Sequence, residues 1–323
     1  MEACAENLES VIKRELERRY PECEVSFLNV QKNNGLMLRG VVIAAPEERI
    51  QPTIYMDEYM EKGYSVSEIC EEVSRLYEES RVKGTLDTDL TDFGAVCGKI
   101  CFKLINAELN KDFLKAVPHR RLHDLAVVYY ILLDDQSDGI ASVLISHRLT
   151  SCWGVGEEDL YALAAENTRK LLRVNVTPME MILSGMQGEE EQPDCDVITA
   201  GDFTMTIKKN AEWDAYIMSN KDKTFGAAAI LYPDILRQVS DRLGAGLYIL
   251  PSSTHEVILM PDNTGAEAAE LFGMVCDVNR KSVVLEEFLA DNVYHYDREK
   301  DAVTALYPAG SEAGRVPACI SDI

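Results

Sequence analysis

Apolar positions along this chain switch between helical and strand periods, and each switch marks an element boundary. Over 4–19, Leu8, Val11, Ile12 and Leu16 recur at helical spacing with charges between them, which predicts an amphipathic helix that Pro21 stops. Two alternating β-prone runs follow, at 24–31 and 36–44, joined through Lys32-Asn33-Asn34-Gly35. Asn-Gly accepts positive φ at both central turn positions, so the two runs read as a tight hairpin. Beyond Pro46 and Pro52, Thr53 reads as the cap of a short helix reaching Tyr59, and Ser65-Val66-Ser67-Glu68 opens a second helix running to about residue 81.

The same order then returns. A strand-like run at 96–105 leads into a predicted short helix at 107–117, which Pro118 breaks. The stretch 124–133 is almost continuously apolar, as a strand buried on both faces must be, and belongs at the centre of a sheet. Turn composition at 134–139 and an apolar run at 140–145 complete a second hairpin. Gly156-Glu157-Glu158-Asp159 opens a helix that carries acids at its positive end and Leu160, Leu163, Ala164, Asn167, Thr168 and Leu171 along one side. Further on come a strand at 215–219 and a helix at 227–243 with Ile230, Ile235, Leu236 and Val239 inward, ended by Gly244 and Gly246. A third strand pair, 247–250 and 257–260, surrounds Pro251-Ser252-Ser253-Thr254-His255-Glu256. A last long helix takes 266–279, then an apolar strand or helix 283–289 and an edge-like strand 293–296.

The fold class is therefore α+β, and the order helix, antiparallel β-hairpin, helix occurs three times at intervals of about a hundred residues. This reads as a divergent structural triplication: units at 1–88, 89–183 and 203–308, with a frayed tail at 309–323. Between the second and third units, residues 184–202 hold acids, Gly185, Gly188, Pro193 and Gly201 but no Lys or Arg, which is linker or loop composition.

Charge narrows the function. Lys and Arg total 32 against 55 Asp and Glu, and a net charge of -23 argues against direct nucleic-acid binding and for a basic protein partner. No apolar run is long enough for a membrane span, and Met1-Glu2-Ala3-Cys4-Ala5-Glu6 lacks a basic-then-apolar signal, so the expected location is cytoplasmic. Nine scattered cysteines fit reduced thiols rather than a disulfide framework. Their one close pair, Cys97 and Cys101, lies in an apolar stretch and reads as buried packing, so no metal is expected. Walker and Gly-x-Gly-x-x-Gly motifs are both absent, and no cofactor is expected.

Three clusters carry candidate chemistry. Ser252, Ser253, Thr254, His255 and Glu256 place hydroxyls, an imidazole and a carboxylate at one strand connection, the groups of a hydrolase nucleophile and base, with His295 as a possible helper. The same letters also make a good turn, without any Gly-x-Ser-x-Gly elbow. His119, Arg120, Arg121, His123 and Asp124 form a second cluster; its two histidines have metal spacing only on a helix, and its arginine forks suit an anion or a partner's carboxylate. Glu189-Glu190-Glu191, with the general acidity, raises a nucleic-acid-mimic inhibitor as a further alternative, against the plainer reading of solvated charge. Trp153 and Trp213 read as packing residues.

Several segments carry a likeness: 36–40 with Pro52-Thr53-Ile54-Tyr55, Asn106-Ala107-Glu108-Leu109-Asn110 through Val117-Pro118-His119, Asp124-Leu125-Ala126-Val127-Val128-Tyr129, Ala165-Glu166-Asn167-Thr168, and Leu250-Pro251-Ser252-Ser253-Thr254-His255-Glu256. Over about 20–300 the chain resembles the domain of unknown function 5688 family of gut Firmicutes. More distantly, the order from Asp124 onward is similar to the uncharacterised family of the bacillus YtpQ protein. The resemblance implies a bacterial accessory protein of mobile genetic elements and carries no catalytic residues over. The expected function is a non-enzymatic interaction or regulatory role, with the hydrolase at 252–256 and the nucleic-acid mimic as alternatives.

Overall fold

Hydrophobic periodicity places the first helix where the sequence does. The computed structural model describes residues 2–46, 51–82, 89–136, 139–185, 195–209 and 214–306, and divides the chain into two compact units, Met1–Asp89 and Leu90–Ile323. In the first unit, α1 (Glu2–Arg19), β1 (Glu24–Gln31) and β2 (Met37–Ala44) occupy the predicted spans. Asn34 at φ 59° and Gly35 at φ 73° make the hairpin tip, and β1 pairs with β2 antiparallel from Glu24↔Ala44 to Gln31↔Met37. Positive φ at two successive residues gives the turn the twist of the strands it joins.

The segment expected as a Thr53-capped helix is a third strand, β3 (Thr53–Tyr55), paired antiparallel with β2, and a short helix, α2 (Asp57–Glu61), starts only after it. Thr, Ile and Tyr are good strand formers, and Ile54 turns into the core beside Val41 while Thr53 packs over Gly40. The second predicted helix is α3 (Val66–Val82). Its capping box is formed: the Ser65 backbone N–H donates to Glu68 Oε2 at 2.8 Å and the Glu68 N–H to Ser65 Oγ at 3.4 Å. Ile12 and Leu16 of α1, Val25, Val41 and Ile43 of the sheet, and Ile69, Val73 and Tyr77 of α3 close the core.

The second unit opens with α4 (Phe93–Val96) and a four-stranded antiparallel sheet of β4 (Ile100–Asn106), β5 (His119–Leu122), β6 (Leu125–Gln136) and β7 (Gly139–Leu144). As predicted, β6 is central: β4 pairs along one side, while β5 and then β7 pair along the other, and every residue from 125 to 133 is buried. The tip residues 137–138 lie outside the described residues. Helices α5 (His147–Trp153) and α6 (Glu157–Leu171) follow, with Leu160, Ala164 and Thr168 of α6 buried. The helix expected at 107–117 is a run of turns ending in a 3-10 turn at Phe113–Ala116. Asn106 causes this: its Oδ1 accepts the Leu109 N–H at 2.8 Å and its carbonyl accepts from Asn110 Nδ2 at 2.8 Å, bonds that compete with helix formation.

An eight-stranded sheet completes the unit, built from β8 (Val174–Pro178), β9 (Cys195–Ala200), β10 (Phe203–Lys208), β11 (Tyr216–Asn220), β12 (Leu247–Pro251), β13 (Val257–Pro261), β14 (Val293–Asp297) and β15 (Ala302–Leu306), with α7 (Met179–Leu183), α8 (Pro233–Leu243) and α9 (Ala268–Ser282) between them. Its order is β15-β14-β12-β13-β11-β8-β10-β9. The sheet takes strands from both sides of 184–202. Within that acidic segment 186–194 lie outside the described residues, and 195–200 form β9, paired with β10. The helix read at 227–243 is two pieces, a 3-10 run at Gly226–Leu231 and α8, because Pro233 forces Tyr232 out of the helical region, to φ -106° and ψ 91°. Residues 283–289, expected as strand or helix, form a turn and loop. The 293–296 strand lies inside the sheet rather than at its edge, because β15 pairs outside it. Three hairpins exist as read, in sheets of three, four and eight strands.

Candidate functional site around His255

The 251–256 connection between β12 and β13 is bound tightly to its neighbours. Ser253 Oγ accepts the His255 backbone N–H at 3.0 Å, and the Ser253 N–H donates to the Glu256 carbonyl at 3.2 Å, which closes the turn. The Thr254 N–H donates to the Glu287 carbonyl at 2.8 Å, and the Thr254 carbonyl accepts the Ala227 N–H at 3.3 Å. Ser219 Oγ, at the end of β11, donates to the His255 carbonyl at 2.7 Å.

The His255 ring meets a second loop, 220–226. Asn220 organises that loop: its Oδ1 accepts the N–H groups of Asp222 and Thr224, each at 3.1 Å, and its Nδ2 donates to the Thr224 carbonyl at 2.6 Å. Phe225, held at φ 55°, donates its N–H to His255 Nδ1 at 3.2 Å and stacks its ring on the imidazole, centroids 5.6 Å apart and planes 14° off parallel. Lys103 of β4 sets its ammonium 4.1 Å over the Phe225 ring, and Tyr130 of β6 meets that ring edge-on at 5.3 Å. An Nδ1 that accepts an N–H carries no proton, so the neutral imidazole holds its proton on Nε2, which faces Glu287 Oε1 at 3.7 Å. Burial lowers the His255 pKa, with Lys103 adding to it and Glu287 and Glu286 opposing. Burial likewise raises that of Glu256, with Glu287 adding and Lys223 opposing. In this arrangement the imidazole faces Phe225 and Glu287, and Ser253 faces back into its own turn. Among the described residues no hydrogen bond joins Ser252, Ser253 or Thr254 to an imidazole.

The other candidates lie elsewhere. His295 bonds Asp262 Oδ2 through Nε2 at 2.9 Å and tilts on Tyr248. On β5, Arg120 grips Glu157 and Glu158 and stacks over Tyr161 at 4.1 Å, while Arg121 pairs with Glu108. His119 Nδ1 lies 3.0 Å from the Val117 carbonyl. The arginine forks therefore meet carboxylates of their own chain. His123, at φ 54°, packs against Tyr294, whose hydroxyl donates to Asp124 at 2.6 Å. Trp153 packs on Phe93 and donates to the Leu90 carbonyl at 3.0 Å. Glu189, Glu190, Glu191 and Trp213 lie outside the described residues. Cys97 sits in a 3-10 turn, and only Cys101 lies on β4, buried, its thiol pKa pushed up to about 11 by burial. Among the described residues no group of three or more His, Cys, Asp or Glu is placed to hold a metal, and no helix is long and apolar enough to cross a membrane.

Reading the sequence missed the 220–226 loop and Lys103. Asn220-Lys221-Asp222-Lys223-Thr224 has plain turn composition, a signal that was present, but nothing local ties it to His255, thirty residues on. A family described as a family of unknown function, DUF5688, matches residues 1–298. The chain belongs to that family. No curated protein and no solved structure matches it.

Proposed function

We propose that the chain is a non-catalytic accessory protein of the bacterial cytosol, acting by binding a protein partner. The observation that carries this reading is an exposed apolar stretch beginning on α9: Met274 and Val278, then Val284 and Leu285 in the turn behind it, exposed by 56%, 47%, 59% and 50%. A helix that only covers a sheet shows water its polar side, so large apolar residues left exposed one turn apart on it mark an interaction surface. Supporting it, the groups that could do chemistry at 251–256 and on β5 already hold chain segments together. An association with mobile genetic elements follows from the family likeness alone and belongs to the same proposal. Affinity capture from a native host, with the intact chain as bait, tests the reading. A reproducible stoichiometric partner is expected; an intact bait that recovers none removes it.

A further inference from the structure

From the structure we infer that the α9 face takes a basic amphipathic helix, with apolar side chains seated on Met274 and Val278 and lysines or arginines against the acids beside them. The inference rests on the protein-binding reading and names its partner's chemistry. Leu271, Val275 and Asn279, at successive four-residue steps, form the buried side of α9, where Leu271 and Val275 meet Leu250 of β12 and Val293 of β14. Met274 and Val278 each lie three residues after one of them, so they share a stripe beside the buried side instead of pointing directly away from the sheet. At 100° per residue, Glu267, Glu270 and Asp277 fall on that same flank, all exposed, together with one cation, Lys281, whose ammonium lies 3.9 Å from Asp277 Oδ2, so the flank keeps a net negative charge.

The charge picks the occupant. Between 266 and 292 the sequence has Glu267, Glu270, Asp277, Glu286, Glu287 and Asp291 against Arg280 and Lys281, in a chain of net charge -23. A second copy would bring like charge to like charge, and an anionic lipid surface would be repelled. A cationic helix gains on both counts, since its apolar side covers the stripe while its charges find the flank. Methionine suits such a seat, because its unbranched side chain adapts to varied partners.

The test titrates the full chain with a fluorescein-labelled helical peptide of Leu and Lys at amphipathic spacing, followed by anisotropy. Met274→Ser with Val278→Ser is expected to weaken binding by about tenfold or more. Glu270→Gln with Asp277→Asn is expected to weaken it severalfold and to flatten its salt dependence. Val197→Ser, on the exposed side of β9, should leave it unchanged. Equal affinity of the Met274/Val278 double variant and the parent overturns the inference, as does equal binding of the same peptide with Glu in place of Lys. So does self-association of the parent that the double variant abolishes. Failure here is separable from failure of the broader reading: a parent that still captures a partner, which the double variant also captures, keeps the protein-binding role and loses only this site.

Discussion

Gly226 shows how much one side chain decides in this protein. A Cβ built there would lie 2.3 Å from Ser219 Oγ, 2.6 Å from the His255 carbonyl and 2.7 Å from the Asn220 N–H. Two of those neighbours are backbone, fixed in β11 and in the 251–256 turn, so they cannot swing aside. Glycine is needed at this position for close approach, whereas at Gly35 it is needed for positive φ. Gly226→Ala is expected to destabilise the fold by about 1 to 3 kcal/mol, read as a lower urea midpoint with an unchanged slope. A midpoint equal to the parent's would mean that the two loops are not packed as described. Nothing local in Phe225-Gly226-Ala227 distinguishes this glycine from one serving a helix start, because the crowding comes from residues 219, 220 and 255.

Among elements, those whose local signals agree were legible in the sequence. The β1–β2 hairpin combines alternation with an Asn-Gly tip, and α3 combines helical spacing with a formed Ser65/Glu68 capping box. Where local signals compete, the structure departs from the expected helix. Asn106 drew the 107–117 run into turns, and Pro233 split the helix expected over 227–243. The loops at 220–226 and 251–256 form a joint between elements that titrates. Burial holds His255 below the ordinary value of 6.5, so in the window between its folded pKa and 6.5 the unfolded chain binds more protons than the folded one. Stability therefore falls as pH drops below about 6.5, and this loss is complete below the folded pKa. Protonation also fills the Nδ1 acceptor that takes the Phe225 N–H. Melts between about pH 7.5 and pH 5.5 should show a steeper fall for the parent than for His255→Asn, whose amide oxygen can take that N–H without charging. Identical slopes for the two proteins would show that His255 takes up its proton equally readily in the folded and unfolded chain.

For the whole molecule, the buried β6 strand is the spine of its sheet. Ile131 is fully buried and lies in register between Ile100 of β4 and Val143 of β7, with no cation among those two pairing partners. Ile131→Asp would bury an unpaired carboxylate and is expected to cost about 3 kcal/mol or more, a large part of a total stability of about 5 to 15. The variant should be insoluble or should melt far below the parent; a soluble variant with an unchanged melt would remove β6 from the core.

By itself, the sequence determined the fold class, the amphipathic helices, the three hairpins and the central place of β6, because each depends on periodicity and turn chemistry within a few residues. Tertiary structure decided the rest. Strands β8 and β10 pair across the segment that reads as linker, β15 removes β14 from the edge, and Lys103, Phe225 and His255 meet from three separate segments. Such pairings are settled by what each face finds to bury against, and no local pattern encodes a partner tens of residues away. The exposure of Met274 and Val278 is of the same kind, since an apolar residue at helical spacing reads as core until the sheet beneath it proves to be covered already by Leu271 and Val275.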